Sequence, residues 1–304
     1  MGRDRAWLWP VLFARLCNLL CGVRLMKNID LKEKYEGMHD KGQASWTFRG
    51  NEERRAIMDM GRPWEGVKVL EIGCGEGDLA ALMVMEGAEV RGIDYSTTAI
   101  GRAHEKYPTL EFSCTDYRQI ADNRFGGYDR IVMQGVLEHL DSPFQELKWM
   151  IDNLLKKAAE DNVIRFETDP KPDNGDVITS SPGFLNPRGL IWMALHMVGA
   201  VMSKTDLHFL HPWQFEEFCK ERGYFLSMRG CDHDWAWGNR MMIDFRKRIN
   251  LALNDGQIPL RENDGIDKFL DWLERTARQL ASFGEYEGMR KGLTGANIVY
   301  RIRP

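Results

Sequence analysis

An α/β fold with a mostly parallel sheet is predicted by two observations. From residue 67 onward, short apolar runs alternate with helical patterns, which means a sheet covered by helices on both faces. Behind the first run, "LEIGCGEGD" (residues 70–78) packs three glycines into five positions, a density that needs a backbone reason. The chain has 304 residues, enough for one large domain or two small ones with a real core.

The elements follow in order. The stretch "MGRDRAWLWPVLFARLCNLLCGVRLMKN" carries Leu8, Leu12, Leu16, Leu19 and Val23 at helical spacing, flanked by Arg3, Arg5, Arg15, Arg24 and Lys27. Arg15 interrupts the apolar run, so neither side approaches the roughly 20 residues of a spanning helix. Residues 1–64 are read as a helical cap over the protein's own pocket. The alternative is a basic amphipathic helix in peripheral contact with an anionic membrane surface.

"VKVLEI" is a buried strand, followed by the glycine loop and the helix "DLAALMVMEG". "AEVRGIDYS" is a second strand, with a helix from Thr97 to Lys106 after it, and "LEFSCTD" is a third. "YDRIVMQGVLEHL" is a fourth strand that runs into a loop. "SPFQELKWMIDNLLKKA" is helical, with Ser142 as N-cap and Pro143 at the first helical position. "NVIRFET" (residues 162–168) makes the fifth strand and closes a core over 65–168.

A Pro/Asp/Gly loop then leads to "GLIWMALHMVGAVM", apolar on nearly every face and too short to cross a bilayer. It belongs to an insertion over 169–210, read as a lid or a buried helix. The segment 211–304 returns to the core: "HPWQFEEFCKERGY" is a helix stopped by Gly223, and "FLSMRG" is a strand. A helical insertion fills 231–292, and "ANIVYRI" is the last strand.

Charge and cysteine usage bound the function. The formal net charge is −4, from 41 basic and 45 acidic residues, so no global field draws the chain to nucleic acid. The six cysteines (17, 21, 74, 114, 219 and 231) form no metal-like pair, and Cys74 sits inside the glycine loop. A reduced, cytoplasmic protein is expected. Ten tryptophans and sixteen methionines suit ordinary core filling or an adaptable apolar pocket.

The loop's spacing discriminates between ligands. In the dinucleotide pattern G-x-G-x-x-G, the third glycine lets the helix amino terminus hold a pyrophosphate. Here Gly73, Gly75 and Gly77 give G-x-G-x-G, and Asp78 occupies the place of that third glycine. A carboxylate facing a pyrophosphate is electrostatically wrong, which counts against NAD.

With Glu71 two residues before it, the loop resembles the first motif of class I S-adenosylmethionine-dependent methyltransferases. The resemblance extends along the chain. Asp94 ends the second strand, where a carboxylate accepts ribose hydroxyls. Asp116 in "CTDYRQI" matches the acidic residue near the adenine amino group, with Tyr117 beside the ring. "YDRIVMQGVLEHLDSP" matches the fourth strand and loop of small-molecule enzymes similar to the ubiquinone and menaquinone methyltransferases. The match covers roughly 65–168 well, and the "HPWQFEEFCKERGY" helix with the final strand more loosely.

That resemblance implies a Rossmann-like seven-stranded sheet with an antiparallel last strand and helical lid insertions. It implies S-adenosyl-L-methionine as cofactor, held by Glu71, Gly73, Cys74, Gly75, Gly77, Asp94, Tyr95, Asp116, Tyr117 and Gln134. The (N/D)PP(Y/F) signature of nucleobase-amine enzymes is missing: the place reads Gln134-Gly135-Val136-Leu137. The expected acceptor is therefore a small molecule, hydrophobic or linked to a lipid or glycan, methylated at oxygen. N- or C-methylation and a non-catalytic cofactor-binding subunit stay open. No metal is expected. His139 and then His208 are the candidate bases; His211 is read as helix-entry packing, and His233 as a surface residue.

Overall fold

The computed structural model describes residues 36, 51–120, 127–156, 175–197, 208–237, 240–241 and 293–304. Helix α1 (Asn51–Gly61) precedes the first strand, β1 (Lys68–Ile72). Then come α2 (Asp78–Met85), β2 (Glu89–Asp94), α3 (Thr97–Lys106), β3 (Glu111–Cys114) and β4 (Arg130–Gln134). Helix α4 (Pro143–Leu154), β5 (Asp176–Pro182), α5 (Pro187–Met197) and α6 (Pro212–Arg222) follow. The series ends with β6 (Phe225–Cys231), the short α7 (His233–Trp237) and β7 (Asn297–Arg303).

The seven strands form one sheet in the order β3-β2-β1-β4-β5-β7-β6. Strands β1 to β5 pair in parallel, and β7 runs antiparallel between β5 and β6. The order reverses between β1 and β4, so the loops after those two strands diverge. A cleft opens at their carboxyl ends, where ligands of open α/β sheets bind.

Period-two alternation along the strands feeds two cores. Ile131, Met133, Val177, Tyr300 and Ile302 face Leu147, Met150, Ile151 and Leu154 of α4 and Phe215 and Phe218 of α6. Val69, Val132, Ile178 and Val299 face the other way, onto Ala56 and Ile57 of α1 and Leu79 and Met83 of α2. Helix α1 is thus a covering helix of the sheet. Its last two turns belong to the core and not to a separate cap over 1–64.

The fifth strand departs from the sequence reading. Residues 162–168 lie outside the described residues, and the strand beside β4 is Asp176–Pro182, within the segment expected to be lid. Its sequence, "DVITSSP", carries only two aliphatic side chains. Buried hydroxyls of Thr179, Ser180 and Ser181 fill the rest, and these mimic a loop. Ser142 precedes α4 as expected, but its side chain makes no cap hydrogen bond. Its backbone carbonyl accepts the Gln145 and Glu146 amides instead. Helix α6 ends at Gly223, whose φ is 68°, as read from the sequence. The amino-terminal apolar stretch and most of 231–292 lie outside the described residues. Among the described residues, no helix is long and apolar enough to cross a membrane.

At the opposite edge from the cleft, β4, β5 and β7 are tied by buried charge. Asp176 takes a two-pronged ion pair from Arg130, with which it is in register, and a second pair from Arg301. The Arg130 guanidinium also lies 4.6 Å from the Trp64 ring centroid, and Arg301 donates to the Met60 carbonyl. Removing the anion strands the buried Arg130 and the part-buried Arg301. Replacing Asp176 with Asn is expected to destabilise the fold by about 3–5 kcal/mol, measured by urea unfolding.

Candidate functional site

The loop after β1 is shaped by backbone conformation. Gly73, Gly75 and Gly77 have φ of 75°, 53° and 81°, a region that side-chain-bearing residues rarely enter. Gly77 must also be small: a Cβ there would stand 2.5 Å from the Phe112 ring. At Gly75 a Cβ would meet nothing within 4 Å, so this turn borders open space. The Gly75 amide donates to Asp94 Oδ2 at 2.9 Å, and the Ser96 amide donates to Oδ1 at 2.9 Å. The Asp94 carboxylate is thereby pinned at the end of β2.

Neighbouring groups extend this acidic rim. Asp116, after β3, accepts the Tyr95 hydroxyl at 2.9 Å and the Arg118 amide at 2.8 Å. Burial and the Asp116 carboxylate push the Tyr95 hydroxyl well above its usual range, so it stays a donor. Tyr117 lies elsewhere: its ring is buried edge-on against Trp149, and its hydroxyl donates to Glu146 at 2.7 Å. That ring belongs to the core, and the expectation of Tyr117 beside an adenine is set aside. Cys74 is buried in the loop, its thiol held protonated by burial and by the carboxylates of Glu71 and Asp94.

Glu71 is buried on β1 and accepts the Ala80 amide, while its Oε2 has no hydrogen-bond partner. Burial drives its carboxyl up to about 8, against the pull of the Arg54 charge. This orphaned acceptor beside the open turn at Gly75 is a place for a cationic donor.

The residues missed by sequence reasoning come from α1. Arg54 donates from Nη1 to Asp78 Oδ2 at 3.3 Å and from Nε to Gln134 Oε1 at 3.4 Å. Glu53, beside it, accepts Gln134 Nε2 at 2.7 Å. Burial raises the Glu53 carboxyl to about 7. Burial alone would also raise Asp78, but Lys106, Tyr107 and Arg54 overcome it and hold Asp78 below the usual range. The only sequence signal was a charged triplet, "EER", at the start of an amphipathic helix, and any solvated helix offers that.

At the end of β4, the turn Leu137–His139 carries His139 half-buried. The structure brings His208 to the same segment: its amide donates to the Glu138 carbonyl, and its Nε2 lies 3.1 Å from the Asp141 carbonyl. Nε2 is therefore protonated, and because burial lowers the ring's pKa the lone pair rests on Nδ1. His211 is the N-cap of α6, in a reciprocal box with Gln214, and stacks on Trp213. It is helix-entry packing, as expected.

Glu71 gives a pH dependence with a definite sign. Its folded value near 8 lies above the 4.5 of a free glutamate. Its contribution to stability is therefore present below pH 4.5 and lost as pH rises through 8. Replacing Glu71 with Gln should leave stability near pH 4.5 little changed and raise it relative to the parent at pH 8.5, as read by thermal melts across that range.

The comparisons with known proteins agree with this geometry. A family model described as "Methyltransferase domain" matches residues 69–158, from β1 through α4. The ubiquinone biosynthesis O-methyltransferase of Acinetobacter baumannii (strain ACICU) is 32% identical over 138 residues, covering 40% of this chain and 56% of that one. The enzyme of the same name from Burkholderia multivorans is 36% identical over 97 residues, covering 31% and 42%. The chain thus spans about half the length, or less, of the curated relatives it matches. Among solved structures, a chain of the complex between the Haloferax volcanii Trm112 methyltransferase activator and a methyltransferase aligns over 90% of this chain and 96% of its own. Its TM-score is 0.51 at 15% identity, a likeness of fold. Residues 69–158 thus match the methyltransferase-domain family, in keeping with a class I S-adenosylmethionine-dependent methyltransferase.

Proposed function

We propose that the protein methylates a small-molecule acceptor at oxygen, using S-adenosyl-L-methionine, and that the acceptor is hydrophobic or linked to a lipid or glycan. The observation that carries the oxygen assignment is the meeting of His139 and His208 at the carboxyl end of β4. The relatives named above, themselves called O-methyltransferases, point the same way.

The chain's own groups fit the cofactor. Glu71 Oε2 is a buried acceptor for an α-ammonium, and Arg54 is a cation at hand for an α-carboxylate. Asp94 is a carboxylate acceptor for a ribose diol, and Asp116 accepts from an adenine amine. Gly73, Cys74, Gly75 and Gly77 form the floor, and Tyr95 holds Asp116 in place. The cofactor supplies an electrophilic methyl group on a sulfonium. An in-line displacement needs the acceptor oxygen aligned and its proton removed. In this reading His139 takes that proton as the oxygen's electron pair forms the bond to the methyl carbon. The bound cofactor would give that methyl carbon from a sulfonium that leaves as a neutral thioether. His208 anchors the turn through Glu138 and Asp141, which keeps His139 in register.

The acceptor side fits an apolar partner. Phe184 packs against Trp192, Phe209 and His211, and Leu190 of α5 and Trp213 of α6 remain exposed beside them. Apolar surface in the loops and helices after β5 is where an acceptor would lose water on binding.

Two measurements test the reading. Replacing Gly75 with Ala adds a methyl group that meets no protein atom, so the melting point should fall by only a few degrees, on the order of 1 kcal/mol. The same methyl projects into the open turn, and affinity for S-adenosylhomocysteine should fall at least about tenfold by calorimetry. Replacing His139 with Gln should lower turnover by about 10²- to 10⁴-fold, with cofactor affinity kept within a factor of about two. Turnover is read by transfer of radiolabelled methyl to a lipid or metabolite extract. Full turnover in that variant would remove His139 as the base.

A further inference from the structure

The carboxylate of Glu53 is buried on a covering helix, yet it spends itself on the cleft. It accepts Gln134 Nε2 at 2.7 Å, at the end of β4, and the hydroxyl of Ser180, the β5 residue in register with Gln134. The Ser180 hydroxyl in turn accepts the Gly135 amide at 3.3 Å. The other charges that face Glu53 are Arg54 on its own helix and Asp232 after β6. One carboxylate therefore ties α1 to the carboxyl ends of β4 and β5.

A glutamine side chain presents a carbonyl at one branch and an amine at the other, and its neighbours decide which faces where. Above its raised value of about 7 Glu53 is ionised and accepts only, so Gln134 must turn Nε2 toward it. Its Oε1 is then directed to Arg54 Nε, at 3.4 Å, with a second lone pair to spare. We propose that Glu53 is a positioning residue that locks the Gln134 amide with its carbonyl toward the cofactor's amino-acid end, so that Gln134 serves as an acceptor there and never as a donor. The inference rests on the methyltransferase reading and deepens it. It explains why a carboxylate is kept in a site where burial opposes its charge: a neutral amide at residue 53 could pair with Gln134 in either sense.

The test is calorimetric titration of S-adenosylhomocysteine into the full chain at pH 8, with thermal melts of each variant alone. E53Q keeps the shape but not the sense of the hydrogen bond, so its dissociation constant should rise about tenfold. Its melting midpoint should stay level or rise, because a buried charge is removed. Q134A should lose a similar amount, and E53Q/Q134A should be no worse than Q134A, since both changes break one interaction. The exchange E53Q/Q134E restores a donor on α1 and an acceptor oxygen on β4, and should return affinity to within about threefold of the parent.

Parent-like binding by E53Q, additive losses in the double variant, or an exchange variant no better than E53Q would each overturn the proposal. A lowered melting midpoint in E53Q would overturn it in favour of a purely structural glutamate. A parent chain that fails to bind the ligand at all overturns the methyltransferase reading along with it, whereas the other outcomes leave that reading standing.

Discussion

The site hangs on a carboxylate held by two backbone amides. Asp94 receives the Gly75 and Ser96 N–H groups on separate oxygens, so the loop after β1 and the turn after β2 are fastened through one side chain. The Gly75 amide points at Asp94 because Gly73, Gly75 and Gly77 each adopt a conformation that a Cβ disfavours. The same geometry admits the Phe112 ring of β3 against Gly77 and Gly92, which fixes β3 to the loop. Three strands and the start of α2 therefore take their relative positions from a turn of five residues. Uncharged amides hold the carboxylate in doing so.

How much of this was legible follows from what each residue signals locally. The glycine loop, Asp94 and Asp116 could be read because glycine density and acidic strand ends are local features of a single segment. The sheet order and the antiparallel β7 came with the family resemblance those residues carry. Strand β5 was missed because its burial is achieved by hydroxyls, and the hydrophobic pattern that marks a strand is thin in "DVITSSP". Tyr117 was misplaced for a related reason. Adjacency to Asp116 says nothing of which way a ring turns, and here Glu146, 29 residues on, captures its hydroxyl. Glu53 and Arg54 were invisible because their partners lie 81 and 24 residues away. Long-range pairing is the information that one sequence, read segment by segment, does not carry.

The two histidines show the complementary case. Among the described residues a helix, a strand and a second helix separate His139 from His208, yet residue type alone nominated both. The fold joins them through main-chain contacts: the His208 amide to the Glu138 carbonyl, and its ring to the Asp141 carbonyl. Those contacts use backbone atoms on one side, so the pairing needs no particular side chain at 138 or 141 to form. A turn held from outside in this way keeps its own histidine half-buried at the end of β4.

Electrostatics decides which ligand such an edge tolerates. Glu71, Asp94, Asp116 and Glu53 line the carboxyl ends of β1 to β4, and burial penalises the charge on two of them, Glu53 and Glu71, enough to move them toward neutral pH. A phosphate brought here would meet these carboxylates, while the cations around the loop are already paired: Arg54 with Asp78 and Gln134, Lys106 with Asp78, and Arg102 with Glu76. A zwitterion with an additional sulfonium charge reverses that balance. Its cationic groups neutralise carboxylates that the fold has already desolvated, and its one carboxylate needs only one guanidinium. Such an edge favours a cationic ligand over a phosphate, which is how a loop of glycines without a phosphate-binding role acquires selectivity.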